Sequence, residues 1–169
     1  MSRRALLLIN PRSRRGAESA EIVRTALQGA GLDVRCAPDG AESSAQIREN
    51  AAEVDLVVIG GGDGSVNAAV PALLETKLPF GVIPLGTGND FARTIGLPLE
   101  PEAAARVIAA GHLAPIDVGE ANGHPFLNVA NIGLGVDLTR ALTRDAKRRW
   151  GVLGYAVAGL RVLRRVRPF

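Results

Sequence analysis

The residues best suited by type and spacing to do chemistry are two aspartates embedded in glycine. One lies in Gly60-Gly61-Gly62-Asp63-Gly64-Ser65, the other in Gly86-Thr87-Gly88-Asn89-Asp90. Each segment follows an apolar run, Val57–Ile59 and Val82–Leu85. Both read as strand, glycine loop, helix start. Without a Cβ, glycines at a strand end let backbone N–H groups converge on one point. A helix beginning just beyond adds partial positive charge, and the combination suits phosphate. An aspartate in such a loop can accept a proton from a substrate hydroxyl or hold Mg2+ through water. Two loops of this kind predict a nucleotide site and phosphoryl transfer, which needs mainly positioning and charge neutralisation.

The surrounding residues fit that chemistry to different degrees. Gly60–Ser65 is not a P-loop, because no lysine follows the glycines, and it matches the dinucleotide Gly-x-Gly-x-x-Gly form only at Gly60 and Gly62. The other use of Asp63 is an Asx-turn or helix cap. Ser65 is a natural N-cap whose hydroxyl could also touch phosphate, and Asn67 would sit in the first helical turn. Thr87 and Asn89 offer short hydrogen-bonding groups between glycines. Asp90 reads either as a helix cap or as a metal or substrate contact. Asn10 and Ser13, in Asn10-Pro11-Arg12-Ser13 after the first strand, could hydrogen-bond a nucleotide. Arg12, Arg14 or Arg15 could pair with its phosphates. His112 and His124 read as surface residues without chemistry.

The elements that must position these residues alternate. Strands are predicted at Ala5–Ile9, Leu32–Ala37, Val54–Ile59 and Phe80–Ile83. Helices are predicted at Glu18–Ala30, Glu42–Ala52, Ser65–Glu75 (with Pro71 as a kink or early end), Asp90–Ile95 and Glu102–Ala110. That order implies an α/β, doubly wound parallel sheet, with ligands beyond the carboxyl ends of its strands. Asn10, Gly60–Asp63 and Gly86–Asp90 all fall at such ends. This domain is expected to cover residues 1–113. Residues 114–169 change character: Ile116–Ala121, Asn122-Gly123 and Pro125–Ala130 read as a β-hairpin, and Asp137–Arg148 and Leu153–Val166 as basic helices. They are expected to begin a second, β-rich domain.

Composition narrows the classes further. The net charge of +3 conceals basic ends and an acidic middle: residues 1–16 carry five arginines and no acid, and residues 138–169 carry nine basic residues and one acid. Such ends suit phosphates or an anionic membrane. A nucleic-acid partner is not expected, since aromatics amount to only 4% and do not interleave with the basic residues. The single cysteine, Cys36, excludes an internal disulfide, reads as a buried small hydrophobe, and with two histidines makes a structural zinc site unexpected. No signal peptide or span of about 20 apolar residues is evident. The expected setting is cytoplasmic, with peripheral membrane contact as an option.

Asn10-Pro11-Arg12-Ser13, Gly61–Ser65 and Pro84-Leu85-Gly86-Thr87-Gly88-Asn89-Asp90-Phe91-Ala92-Arg93 together resemble the diacylglycerol kinase catalytic-domain family. That family includes bacterial lipid kinases and sphingosine kinases, and is similar in fold to NAD kinases and phosphofructokinases. The resemblance implies ATP and Mg2+ as cofactors and a lipid hydroxyl as acceptor at a membrane surface. It implies that Gly61, Gly62, Gly64 and Ser65 hold ATP phosphates. Asp63 would act near the γ-phosphate, as base or as metal and water anchor. Asn10, Ser13 and Thr87 would help bind nucleotide, and Asn89 and Asp90 would shape the far side of the cleft. The metal ligands stay unassigned. The sequence departs from the family pattern at Ala68, where glutamate is usual, and at Ser65, where threonine is commoner. Family members continue into a β-sandwich domain that closes the cleft. A partner supplying that domain, or a homo-oligomer, is therefore an expectation. The alternatives are a catalytically incomplete nucleotide-binding module and a soluble kinase of the NAD-kinase type.

Overall fold

The computed structural model describes residues 2–13, 16–38 and 40–128. Arg14, Arg15, the predicted basic helices and the end of the predicted second hairpin strand lie outside them. The described elements run β1 (Arg4–Ile9), α1 (Gly16–Gly29), β2 (Asp33–Cys36), α2 (Ser43–Asn50), β3 (Leu56–Gly61), α3 (Asp63–Thr76), β4 (Phe80–Pro84), α4 (Asp90–Thr94) and α5 (Pro101–Ala110). A short hairpin follows, β5 (Gly119–Ala121) and β6 (His124–Phe126).

The first four strands form one parallel sheet in the order β2-β1-β3-β4. Strands β1, β3 and β4 are apolar on both faces, as a sheet covered by helices on both sides requires, while the edge strand β2 is largely exposed. Alternate residues divide between two cores. Leu6, Leu8, Val57, Ile59 and Val82 face one side, where Ile47 of α2 and Val66, Val70 and Leu73 of α3 meet them. Ala5, Leu7, Leu56, Val58 and Ile83 face the other, with Val23 and Leu27 of α1 and Ala104, Ala105 and Ile108 of α5. Each fully buried Val, Leu or Ile contributes about 1.5–3 kcal/mol relative to exposure. Helix α5 lies so close to β4 that a Cβ on Gly81 would stand 2.6 Å from Ile108 Cγ1. Arg3 anchors the end of α5 by donating to the carbonyls of Ile108 (3.3 Å) and Ala109 (2.5 Å).

The structure corrects four details of the sequence reading. Strand β3 continues past Ile59 through Gly60 and Gly61, which pair with Ile9, Ile83 and Pro84. Helix α3 begins at Asp63, capped by the extended residue Gly62, so Ser65 is inside the first turn and not the N-cap. Pro71 does not end α3, which runs on to Thr76. The hydrogen bond that proline lacks is offset by the buried face Val66, Ala69, Val70, Ala72 and Leu73. Cys36 is exposed, because β2 is an edge strand and Cys36 its last residue.

Asn122 and Gly123 turn the β5–β6 hairpin with φ of +50° and +76°. Both residues are left-handed, as a two-residue type I′ turn requires. The hairpin packs on α3, and Leu127 just after it is buried in the α2/α3-side core. Residues up to Asn128 form one compact unit.

Candidate active site

The order β2-β1-β3-β4 reverses direction between β1 and β3, so a crevice opens beyond their carboxyl ends. A cavity of about 260 Å3 lies there, lined by Asn10 and Arg12 after β1, Gly40 before α2 and Ser43 at its start, and Gly64 and Ser65 of α3. Asn10 forms part of its wall. Its N–H donates to the Gly60 carbonyl (2.9 Å), and its side-chain amide donates to Ser65 Oγ (3.0 Å). Asn10 Oδ1 accepts from the Arg12 N–H (2.9 Å), and Ser13 Oγ donates to the Asn10 carbonyl (2.8 Å). Ser65 thus accepts from Asn10 and keeps its own proton for another partner. The Ser65 N–H donates to the Gly62 carbonyl (2.9 Å), which leaves the first two N–H groups of α3, on Asp63 and on the cavity-lining Gly64, without an acceptor in the helix.

The second glycine loop is locked against the first. Leu85 N–H donates to the Gly61 carbonyl at 2.9 Å. Beyond that bond the two backbones touch: a Cβ on Gly86 would stand 2.5 Å from Gly62 Cα, and one on Gly62 3.1 Å from Gly86 Cα. Each loop therefore needs glycine because the other is there. A Cβ on Gly61 would collide with the Ser65 side chain. Asn89, left-handed at φ +54° and buried, holds the second loop shut. Its Oδ1 accepts from the Gly86 N–H (2.9 Å) and its Nδ2 donates to the Gly86 carbonyl (3.0 Å).

Asp63 stands where the two loops meet. Its Oδ1 accepts from the Phe91 N–H (2.9 Å), so it caps α4 across the gap and not its own helix. Both Asp63 Oδ2 and Asp90 Oδ2 lie beside Gly88, at 3.3 and 3.4 Å from the position a Cβ there would take. Carboxylates from the two loops at one edge of their junction suit a cation shared with a phosphate ligand. Among the described residues no group of three or more His, Cys, Asp or Glu could hold a metal ion alone.

The residues singled out in the sequence thus fall into three sets. Asn10, Gly64 and Ser65 line the cavity, with Ser13 bracing Asn10. Asp63 and Asp90 face Gly88, while Gly61, Gly62, Gly86 and Asn89 build the loop contact, and Thr87 is exposed at the loop tip. Asn67 is elsewhere: its Oδ1 accepts from the Leu127 N–H (2.8 Å) and so holds the chain after the hairpin. His112 and His124 are exposed. Two contributors escaped the sequence reading. The segment around Gly40 and Ser43 lines the cavity, signalled only by a Pro38-Asp39-Gly40 turn after β2. Asn128 donates to Asp63 Oδ1 at 3.3 Å from 65 residues away, with no local signal at all.

Known proteins resemble this chain in sequence and in fold. Residues 4–121 match the model of the diacylglycerol kinase catalytic domain. The diacylglycerol kinase of Bacillus subtilis (strain 168) is 40% identical over 119 residues, covering 69% of this chain and 39% of that protein. The protein named "probable lipid kinase YegS-like" from Chromohalobacter salexigens is 36% identical over 160 residues, covering 91% of this chain and 51% of its own length. A crystal structure of a diacylglycerol kinase from Bacillus anthracis str. Sterne superposes with a TM-score of 0.64 at 33% identity, over 75% of this chain and 50% of that one. The chain spans about half or less of each of these relatives.

Proposed function

This chain belongs to the diacylglycerol kinase catalytic domain family, and on that premise we propose that it carries the nucleotide site and the catalytic acid–base residue of an ATP- and Mg2+-dependent lipid kinase. The observation that carries the reading is the junction of the two glycine loops. It sets Asp63 beside Asp90 and next to a cavity at the sheet's switch point. ATP fits the cavity's donors: Ser65 Oγ, the first N–H groups of α3, and Arg12 for the phosphate charge. Mg2+ would fit Asp90 together with the phosphates, since it is usually held by one or two carboxylates plus substrate phosphates, and this leaves Asp63 Oδ2 for the proton. When bound it would neutralise charge on the phosphates.

In the reaction, Asp63 Oδ2 takes the proton of the lipid hydroxyl. The acceptor oxygen bonds to the γ-phosphorus, the bond from that phosphorus to the β–γ bridging oxygen breaks, and ADP leaves with the electron pair. The chain's own contribution is position, because both loops are fixed by backbone contact before any substrate binds. The site is reached from the cytoplasmic face of a membrane. The basic residues of 138–169 suit contact with anionic lipid, and no helix among the described residues is long and apolar enough to cross a bilayer.

The test is transfer of labelled γ-phosphate from ATP·Mg2+ to phosphatidylglycerol vesicles with and without diacylglycerol, and to NAD in solution. Label in lipid that requires diacylglycerol is the expected result. Label in NAD alone would move the assignment to a soluble acceptor. Saturable ATP binding with no transfer would leave a nucleotide-binding module and overturn the kinase reading for this chain.

A further inference from the structure

Asp63 and Asn67 are four residues apart on α3, hence on one face of its first turns. Both side chains hold the same distant segment. Asn67 Oδ1 accepts the Leu127 N–H at 2.8 Å, and Asp63 Oδ1 accepts the Asn128 side-chain amide at 3.3 Å. Leu127 is buried, 5% exposed, in the core beneath α3, which fixes the segment from below. Asn128 has φ of +80°, a left-handed conformation that non-glycine residues seldom adopt and asparagine tolerates best. Glycine would meet that backbone requirement at least as well. A side chain at this position therefore calls for a separate use.

From these contacts we infer that Asn128 is a positioning residue for Asp63. Asp63 Oδ1 receives two donors from separate parts of the chain, the Phe91 N–H and the Asn128 amide. Two donors on one oxygen fix the carboxylate's rotation as well as its location. They leave Oδ2, beside Gly88, as the oxygen free to accept a proton. Asn67 acts one step further out, by holding Leu127 and so placing Asn128. The Asn67 side chain is then a strap for the chain leaving the hairpin and not a nucleotide ligand. This inference rests on the proposed role of Asp63 in transfer.

The discriminating variant is Asn128→Gly, which satisfies the left-handed backbone and deletes the amide. A residue serving only the turn would lose nothing on this change. A positioning residue should lose about 10–100-fold in kcat, with the KM for ATP and the melting temperature unchanged. Asn128→Asp keeps the size and the tolerance of positive φ but sets a second carboxylate against Asp63, and should lose at least as much. A readout independent of activity is the side-chain amide pair of Asn128 in a 1H–15N NMR spectrum of the full chain, identified by its absence in Asn128→Gly. Its resonance should move in Asp63→Ala. A wild-type kcat in Asn128→Gly, or an Asn128 amide indifferent to Asp63→Ala, overturns the inference. If the wild-type chain transfers no phosphate, the kinase reading fails on that ground, and the NMR experiment alone decides whether Asn128 holds Asp63.

Discussion

Replacing Gly86 with alanine should force the two glycine loops apart. The new Cβ would lie 2.5 Å from Gly62 Cα, 3.2 Å from Gly62 N and 2.8 Å from Asn89 Oδ1. Two of those neighbours are backbone, and the third is held by two hydrogen bonds to Gly86 itself, so no flexible side chain can swing away. Carbon atoms sit comfortably at about 3.5–4.0 Å, so the loops must separate by about 1 Å. Overpacking of this kind costs about 1–3 kcal/mol, and for a chain of this size each kcal/mol lowers Tm by about 2–4 °C. The same shift moves Asp63 relative to Asp90, and a 1 Å misplacement can cost about 10²-fold in rate. Gly64→Ala is the matched control. A Cβ there meets no atom beyond its chain neighbours and its own helical backbone within 4 Å, and the position is helical, so the fold should hold or gain up to about 1 kcal/mol. Its new methyl borders the cavity and should weaken ATP binding instead. Thermal melts and initial rates on both variants decide the matter. Wild-type Tm and kcat in Gly86→Ala, or an equal loss of Tm in Gly64→Ala, would refute the reasoning.

Other expectations follow from contacts away from the loops. The side-chain and backbone hydrogen bonds from Arg4 lower the Asp55 carboxyl from its ordinary 3.8 to about 2. A carboxyl lowered in the folded state stabilises above its unfolded value and loses that contribution as pH falls through the folded one. The Tm gap between wild type and Asp55→Asn should therefore be constant above pH 3.8 and close as pH falls to about 2; a gap independent of pH across that window would contradict it. Arg3→Ala removes the two donors and the positive charge at the carboxyl end of α5, and should cost about 1 kcal/mol in urea unfolding. An unchanged midpoint would show that water replaces the contact fully. Cys36 is exposed on edge strand β2 and should react with a thiol reagent in the native protein at nearly the unfolded rate. Protection from the reagent would mean the edge is covered in solution.

The alternation of apolar runs and amphipathic segments made the parallel sheet legible, because both of its faces are covered and each strand's pattern is strong. Glycine loops at strand ends made the site legible for the same reason: their conformational demand is local. What stayed hidden depends on neighbours distant in sequence. Gly60 and Gly61 read as loop, yet β1 and β4 offer them ladder partners and extend the strand. Cys36 alternates like a core residue, and only the strand order puts it at an edge. Asn89 and Asn67 have the side chains of ligands; loop closure uses both polar atoms of Asn89, and the Leu127 strap uses the Oδ1 of Asn67. Asp63 was readable as an acid in a glycine loop. Its capping of α4 and its bond to Asn128 were not, because they span 28 and 65 residues.

The most direct test of the central claim compares wild type with Asp63→Asn for the initial rate of γ-phosphate transfer from ATP·Mg2+ to diacylglycerol in vesicles, with ATP affinity measured on the same samples. Asparagine keeps the size and an oxygen for the Phe91 N–H but cannot take the acceptor's proton. The expected result is a loss of about 10²–10⁴-fold in transfer, with ATP affinity and Tm held. Equal transfer by the two proteins would contradict the placing of the reaction at Asp63.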